Sequence, residues 1–534
     1  MTVFILGAGV MQIPALSAAR ELGWKVAAAD GNPAAPGAEL CDKFFDVDLK
    51  DRPGLLAAAE TARKTMGLDA VFTAGTDFSA SAAWLADLLG LPGHSPEAAL
   101  AASDKIIMRS LFEGASLPSP RFVECASAEE ALASPKRREL DFPLVVKPAD
   151  NMGARGCRLV RDEAELARAV APALTLSRSG RAIVEEFVEG PEFSVDALVH
   201  DGKIEIRGFA DRHIAFSPYF VELGHTMPSA AEGSVRERVL AVFEAGVRSL
   251  GLRHGAAKGD MKWSEVRGGP VIGEIAARLS GGYMSGWTYP YASGIDLTRD
   301  ALVLAAGGEV EGPRIDRGWA SAERAFISIP GRVASIDGLR AARCAPFVKD
   351  LFLRVSRGDE VVFPSNNVEK CGNAISQAPD RVTAALAAEE AARSVIVRLE
   401  APGTATAAFL RGEGRERGFG GAEWPPSAFQ VDAELEAAIE ALPEGSLRPI
   451  GPSAPLFVEP LAAAEGCQSS DWSGRRLADS ARRALEAGGG SFRSHGTDAP
   501  VPAVGRAFWK ALVVGGVQGG LYVLDCVRKG AALP

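Results

Sequence analysis

The strongest chemical signal in the chain is a pair of acids, Asp260 and Glu274, in the segment HGAAKGDMKWSEVRGGPVIGEIAARLSGG. Residues 259–263 and 270–275 have strand character and flank a turn at Arg267-Gly268-Gly269. A hairpin centred on Arg267 sets Asp260 opposite Glu274 and Lys262 opposite Ile272. Two carboxylates facing each other across a strand pair repel and weaken the sheet. Mg²⁺ removes that cost, because it takes one or two carboxylates together with phosphate oxygens and water. The alternative is a register off by one or two, with both acids in water. The apolar neighbours Val271, Ile272 and Ile275 favour the metal. Arg278 follows four residues after Glu274, either to hold an anionic substrate or as an ordinary surface cation. Gly281 and Gly282 then offer loop N–H groups.

A second set lies upstream. Lys147 sits in the apolar strand segment FPLVVKP, on the same face as Val145. An ammonium there is costly unless an anion meets it, or unless it snorkels to water. Gly153-Ala154-Arg155-Gly156 follows, where glycines let backbone N–H groups approach phosphate oxygens and Arg155 adds charge. The alternative is a plain hairpin. Next comes EEFVEGPE, residues 185–192, an extended connector between two strands. Its backbone would suit an adenine edge and the Glu192 carboxylate a ribose; equally, its acids are solvated hairpin charges. The chain has only 14 Lys against 44 Arg, so Lys105 and Lys147, at a helix start and in an apolar strand, stand out. Lys is a compact point charge for phosphate, whereas Arg is a wider fork.

The elements that must position these groups follow from the pattern. Residues 1–95 alternate strand and helix signals, which predicts a parallel sheet with covering helices. A helix begins near Ser103 as N-cap. Strands are expected at 142–147, 158–160, 182–185, 193–199 and 203–209, and helices at 162–170 and 235–250. Residues 401–428 read as a Gly-, Arg- and Pro-rich linker, and 429–534 carry helical patches without an interpretable motif. Gly7-Ala8-Gly9 followed by Asp30 is a partial dinucleotide fingerprint, but the third glycine position holds Gln12. A nicotinamide oxidoreductase is the alternative this turn keeps open. With 534 residues, 47% hydrophobic and 24% charged, the chain is long enough for several domains. A net charge of −10 argues against a general nucleic-acid or anionic-membrane binder. Seven scattered Cys with no CxxC pair argue against a disulfide scaffold or zinc knuckle. No signal peptide or uninterrupted membrane-length apolar run is read, so a cytoplasmic location is expected.

Taken in order, the glycine turn, helix Lys, strand Lys, small glycine loop, EEFVEGPE connector and acidic strand pair ending in EIAAR resemble the ATP-grasp superfamily. The resemblance covers about residues 1–400 and is strongest to the carboxylate–amine ligase branch, with amino-acid ligases and relatives of carbamoyl-phosphate synthase. It implies an α/β fold: an α+β ATP-grasp domain (101–320, with a small lid at about 120–185) after a Rossmann-like domain (1–100). A ligase subdomain (321–400) and an unassigned C-terminal region (429–534) would follow. Lys105, Lys147 and the loop Gly153, Ala154, Arg155 and Gly156 would meet the ATP phosphates. Glu185, Glu186, Phe187 and Val188 would surround the adenine and Glu192 the ribose, with Asp260 and Glu274 holding Mg²⁺ (Mn²⁺ as substitute). Arg278 and Lys147 would be catalytic, and Arg278, Gly281, Gly282 and His225 would meet the substrate. The reaction implied is amide formation from a small carboxylate and an amine through an acyl phosphate, by a homodimer that binds neither nucleic acid nor membrane. Biotin-carboxylase-like or carbamoyl-phosphate chemistry and a non-catalytic ATP-binding protein are the other readings. One departure stands out: many relatives have Asn two residues after the metal Glu, where this chain has Ala276.

Overall fold

The structure is a computed structural model, described here for residues 1–137, 140–310, 318–417, 423–444, 455–493 and 504–534. The chain divides into two compact units. The first is residues 1–214, 224–323 and 375–385; the second is 215–223, 324–374 and 386–534.

In the first unit, β1 (Thr2–Leu6), β2 (Lys25–Asp30), β3 (Lys43–Asp46) and β4 (Ala70–Phe72) form a parallel sheet in the order β3-β2-β1-β4. Every residue of β1 is buried, which is why that strand reads as an unbroken apolar run rather than an alternating one. Helices α1 (Ile13–Glu21), α2 (Arg52–Met66) and α3 (Ser79–Leu88) supply Leu16, Leu55 and Leu85 to the packing on the sheet. Next, α4 (Pro96–Ala101) leads into α5 (Lys105–Gly114). The N-cap of α5 is Asp104 rather than Ser103: its carboxylate accepts from the N–H groups of Ile106 at 2.9 Å and Ile107 at 3.2 Å. Ser103 instead donates back to Ala99 O at 2.8 Å, closing α4.

A small antiparallel sheet follows, ordered β5-β8-β6-β7, from β5 (Phe122–Cys125), β6 (Leu144–Pro148), β7 (Arg158–Val160) and β8 (Ala182–Glu186). Leu166 and Val170 of α7 (Glu163–Leu176) pack on Leu144, Val146 and Val184, and α6 (Ala128–Arg137) lies against β5. The larger, eight-stranded sheet includes the run β13-β12-β9-β10-β11-β14, made of β9 (Glu192–His200), β10 (Lys203–Ala215), β11 (Val221–Met227), β12 (Gly255–Ser264), β13 (Gly269–Ala276) and β14 (Ala320–Phe326). Val239, Phe243 and Val247 of α8 (Gly233–Ser249) cover Met261, Ile272 and Ile275. The two sheets and α5 thus present the strands that the sequence marked for chemistry.

The second unit has one apolar core. Strand Ile396–Leu399 pairs with Gly331–Asp337, and the same core takes in Phe409, Leu435, Leu477, Trp509 and Val523. Residues 401–428, expected as a linker, carry the helix Thr404–Leu410, and Phe409 and Leu410 are buried; 418–422 lie outside the described residues. The region beyond 429 therefore shares its interior with the preceding subdomain. Helix Arg506–Lys529 is bent at Gly516 (φ 57°, ψ −149°). A Cβ at Gly519 would lie 2.0 Å from Ala511 O, so the glycines that interrupt this apolar stretch are what lets the bent halves approach. Gln518 fastens the bend, donating to Ser328 Oγ at 2.8 Å and Val397 O at 2.6 Å. By length and composition this is the one candidate membrane span among the described residues, and 78% of its apolar window is buried within the protein. All seven cysteines are free thiols.

Candidate active site

β12 and β13 pair with Asp260 opposite Glu274, the register expected from the turn at Arg267. Beyond that pair the expectation fails. The ladder shifts between Asp260 and Met261, so Lys262 faces Val271 rather than Ile272 and Gly273 is left over as a bulge. A Cβ at Gly273 would sit 2.8 Å from Asp260 O, and the carbonyl freed by the bulge accepts from Arg109 Nη2 at 2.6 Å. Asp260 is paired with Lys258, with Arg212 Nε at 3.5 Å, and Ser194 Oγ donates to it at 3.4 Å. Glu274 lies 3.7 Å from Lys105 Nζ. Burial alone would raise the Glu274 carboxyl, and so would Asp260; Lys105, Lys258 and Lys147 outweigh both and hold it below the usual carboxylate range. Two anionic carboxylates with hard oxygen donors, 16% and 27% exposed, fit a Mg²⁺ ion shared with phosphates.

The cations converge from three elements. Lys105 opens α5, 5% exposed, and its Nζ donates to Asn151 O at 2.6 Å. Lys147 Nζ donates to Glu185 Oε2 at 2.6 Å, across the β6–β8 ladder. Arg109, one helical turn after Lys105, lies 2.8 Å from the other Glu185 oxygen. Burial would raise the Glu185 carboxyl, but Arg109 and Lys147 bring it down to about 2. Burial would conversely lower the Lys147 ammonium, and Glu185 holds it above its ordinary value. The Glu185 side chain thus turns inward to orient Lys147, and only its backbone remains for a nucleotide base.

The loop after β6 has the conformation that small residues permit. Gly153, Ala154 and Gly156 have φ of 69°, 60° and 72°, the left-handed region where a Cβ costs about 1–2 kcal/mol. Among the described residues, none of the N–H groups of 153–156 donates to a protein acceptor. Arg155 is paired with Asp77, which Arg178 also meets at 3.2 Å. In the connector, Glu186 accepts from Arg121 at 2.6 Å and pairs with Arg267. Lys262 donates to Val188 O at 3.1 Å, stands 5.5 Å over the Phe187 ring and lies 2.7 Å from Glu192. Glu192 also accepts from Arg212 at 2.8 Å, so Arg212 links the expected ribose acid to the expected metal acid.

Arg278, 9% exposed, donates to Thr76 O at 3.1 Å and Leu279 O at 2.8 Å. It is held by backbone carbonyls rather than by a carboxylate. Gly281 packs so closely on Gly75 that a Cβ on Gly75 would lie 3.1 Å from its Cα, and Gly282 has φ 61°. Those contacts give both glycines a structural reason to be there. His225 is buried in β11 with Nδ1 2.9 Å from Glu323. Asp196, beside this set, accepts from Ser280 N–H at 2.9 Å, and burial pushes its carboxyl up against Ser280, Lys258 and Arg278. The sequence reading missed Arg109, Lys258, Arg212 and Asp196. Arg109 had a signal, its i, i+4 spacing from Lys105, and Lys258 shares a strand face with Asp260. Arg212 requires the β9–β10 register, which no local pattern supplies.

The first glycine turn is built differently. The Ala8 N–H donates to Asp30 at 2.7 Å, and Asp30 also accepts from Asn32 N–H at 2.9 Å. Gln12 clamps Ala74 by both its amide groups. The acid that a dinucleotide ribose would need is occupied by the turn itself.

Comparison with known proteins finds similarity across the segments that carry these residues. A family model described as an ATP-grasp domain matches residues 140–286, and one described as L-amino acid ligase C-terminal domain 2 matches 325–400. The Sinorhizobium fredii protein y4rH is 27% identical over 353 residues, 65% of this chain and 72% of that protein. Carnosine synthase 1 of Homo sapiens is 27% identical over 332 residues, 57% of this chain; the match spans only 39% of that longer protein. The crystal structure of an L-amino acid ligase from Bacillus licheniformis superposes with a TM-score of 0.65 at 20% identity, covering 75% of this chain and 98% of the other.

Proposed function

The chain belongs to the ATP-grasp superfamily, in its carboxylate–amine ligase branch, and from that premise we propose that it joins a small carboxylate to an amine at the expense of ATP. The carrying observation is the strand pair that sets Asp260 opposite Glu274, with Lys105 3.7 Å from Glu274 and Lys147 near enough to help hold its carboxyl down. A carboxylate does not react with an amine until its oxygen is made a leaving group, and phosphorylation does this. The γ-phosphate moves to the carboxylate, giving an acyl phosphate and ADP; attack by the amine then expels phosphate and leaves the amide. Phosphoryl transfer asks mainly for positioning and charge neutralisation.

Each residue has a part in that chemistry. Lys105 and Lys147 neutralise phosphate oxygens, and Glu185, itself held ionised beside Arg109, keeps the Lys147 ammonium charged and fixed. The N–H groups of 153–156 close over the phosphates, with Arg155 drawn from Asp77 to join them. The 186–188 backbone meets adenine, and Glu192 meets the ribose once Lys262 and Arg212 yield to it. Asp260 and Glu274 hold Mg²⁺, which supplies further neutralisation of phosphate charge. Lys258, opposite Ala276 in the ladder, pairs with Asp260 and keeps that acid ionised until the ion binds. Arg278, tethered by Thr76 and Leu279 carbonyls, orients the substrate carboxylate or its acyl phosphate. His225, Gly281 and Gly282 shape the surrounding wall, and the enzyme acts as a cytoplasmic homodimer.

A phosphate-release screen over amino acids and other carboxylates, singly and in pairs, tests the reading. The expected result is phosphate release that requires both a carboxylate and an amine. Release with bicarbonate alone would point to carboxylation instead. Tight ATP binding with no turnover across the panel would leave a non-catalytic ATP-binding protein.

A further inference from the structure

At the far end of β9 from Glu192, three of the chain's six histidines meet. β9 ends at His200, and the turn Asp201-Gly202, with φ of 50° and 84°, leads into β10. Gly202 N–H donates to Arg253 O at 3.0 Å, which fixes the turn against the segment entering β12. His254 is thereby set beside His200, ring centroids 5.3 Å apart. One ligand atom from each of His200, Asp201 and His254 lies within 4.8 Å of the others. His200 Nε2 is 3.8 Å from one Asp201 oxygen and His254 Nδ1 is 3.9 Å from the other, too far for hydrogen bonds.

The tautomer of His254 follows from its surroundings. Its Nε2 lies 3.1 Å from Leu304 O. A carbonyl only accepts, so Nε2 carries the proton and the Nδ1 lone pair faces His200 and Asp201. Such an outer hydrogen bond to a carbonyl is what orients imidazoles that ligate metals. Behind it, His94 has Nε2 2.9 Å from Ala256 O and accepts the His254 backbone N–H at Nδ1, 3.3 Å away. The His254 N–H only donates and Ala256 O only accepts, so His94 carries its proton on Nε2 alone.

We propose that His200, Asp201 and His254 bind a divalent first-row transition ion, of which Zn²⁺ is the type. Two imidazoles and a carboxylate suit such an ion, with water in the fourth position. The oxygen-only site at Asp260 and Glu274 suits Mg²⁺. Metal–ligand bonds of about 2.0–2.1 Å place tetrahedral ligands about 3.3 Å apart. His200 and Asp201, 46% and 85% exposed, reach that spacing by side-chain rotation. The ion would staple the β9–β10 turn to the start of β12.

The test is calorimetric titration of chelator-treated full-length protein with Zn²⁺ in millimolar Mg²⁺, paired with visible spectroscopy after Co²⁺ addition. One Zn²⁺ per chain and intensified Co²⁺ bands are expected. His200→Ala and Asp201→Ala, at exposed positions that spare the fold, should each weaken binding at least about tenfold, as should His254→Ala. Glu274→Gln should leave Zn²⁺ binding unchanged. No stoichiometric binding to the wild type, binding that survives His200→Ala and Asp201→Ala, or loss in Glu274→Gln would overturn the assignment. None of these readouts depends on ligase turnover.

Discussion

Two short loops in this chain each follow a buried strand and look alike on paper, and the structure builds them for opposite purposes. In Gly7-Ala8-Gly9 the Ala8 N–H is bound to Asp30, and Gln12 ties the following helix to Ala74. In Gly153–Gly156 three residues are left-handed and no N–H group meets a protein acceptor among the described residues. The first loop is satisfied by its own neighbours, and the second keeps its donors available. A glycine loop becomes a candidate for anions when its N–H groups lack protein partners and cations gather beside it, as Lys105 and Lys147 do here.

Substitutions should separate the two loops by effect size. The largest effect is expected from Lys147→Ala or Glu274→Ala beside the second loop. Loss of one such charge at a transferring phosphoryl group lowers turnover by about 10²–10³-fold, measured as ADP formation. Turnover close to wild type in either variant would break the contrast.

Next is Glu185. Its carboxyl is depressed to about 2, so its ion pairs contribute stability above the ordinary carboxylate range, and that stability is lost as pH falls toward 2. The difference is worth about 3 kcal/mol. Denaturant melts of the wild type between pH 5 and 2 should show a steeper acid loss than those of Glu185→Gln. Parallel acid limbs would mean that Glu185 does not hold Lys147 as described.

A smaller effect distinguishes the glycines themselves. At Gly156 φ is +72° and a Cβ would lie 2.9 Å from Pro148 Cγ, whereas at Gly9 φ is −67° and nothing lies within 4 Å. Gly156→Ala should lower kcat/KM for ATP about tenfold, the equivalent of about 1.4 kcal/mol, while Gly9→Ala leaves it unchanged. The smallest effect is Asp30→Asn, which weakens the charge-assisted bond to Ala8. A loss of about 1 kcal/mol in stability is expected, with no change in kcat/KM; reduced affinity for ATP would blur the distinction.

Much of this was legible in the sequence because it rests on local patterns. The buried run at β1, the apolar strand around Lys147 and the turn at Arg267 each fix their own geometry, and with them the Asp260–Glu274 pairing. What was not legible depends on partners far along the chain. The sequence pattern suggests an adenine contact at Glu185, whereas Arg109 and Lys147 enclose its carboxylate. The bulge at Gly273 shifted Lys262 by one residue, and because Pro270, Val271 and Ile272 are all buried, no hydrophobic alternation is there for the insertion to break. Residues 401–428 looked like a linker by composition, yet Phe409 and Leu410 anchor a shared core. In Arg506–Lys529 the glycines read as interruptions and are the means of bending a buried helix.

The proposed chemistry rests on one step, activation of a substrate carboxylate by phosphorylation at the Lys105, Lys147, Asp260 and Glu274 cluster. The most direct measurement uses a carboxylate substrate found by the phosphate-release screen, labelled with ¹⁸O in its carboxyl group, and weighs the released phosphate by mass spectrometry. One ¹⁸O atom transferred to phosphate per amide formed is expected, with its release slowed about 10²–10³-fold in Glu274→Ala. Amide formation with unlabelled phosphate would contradict it.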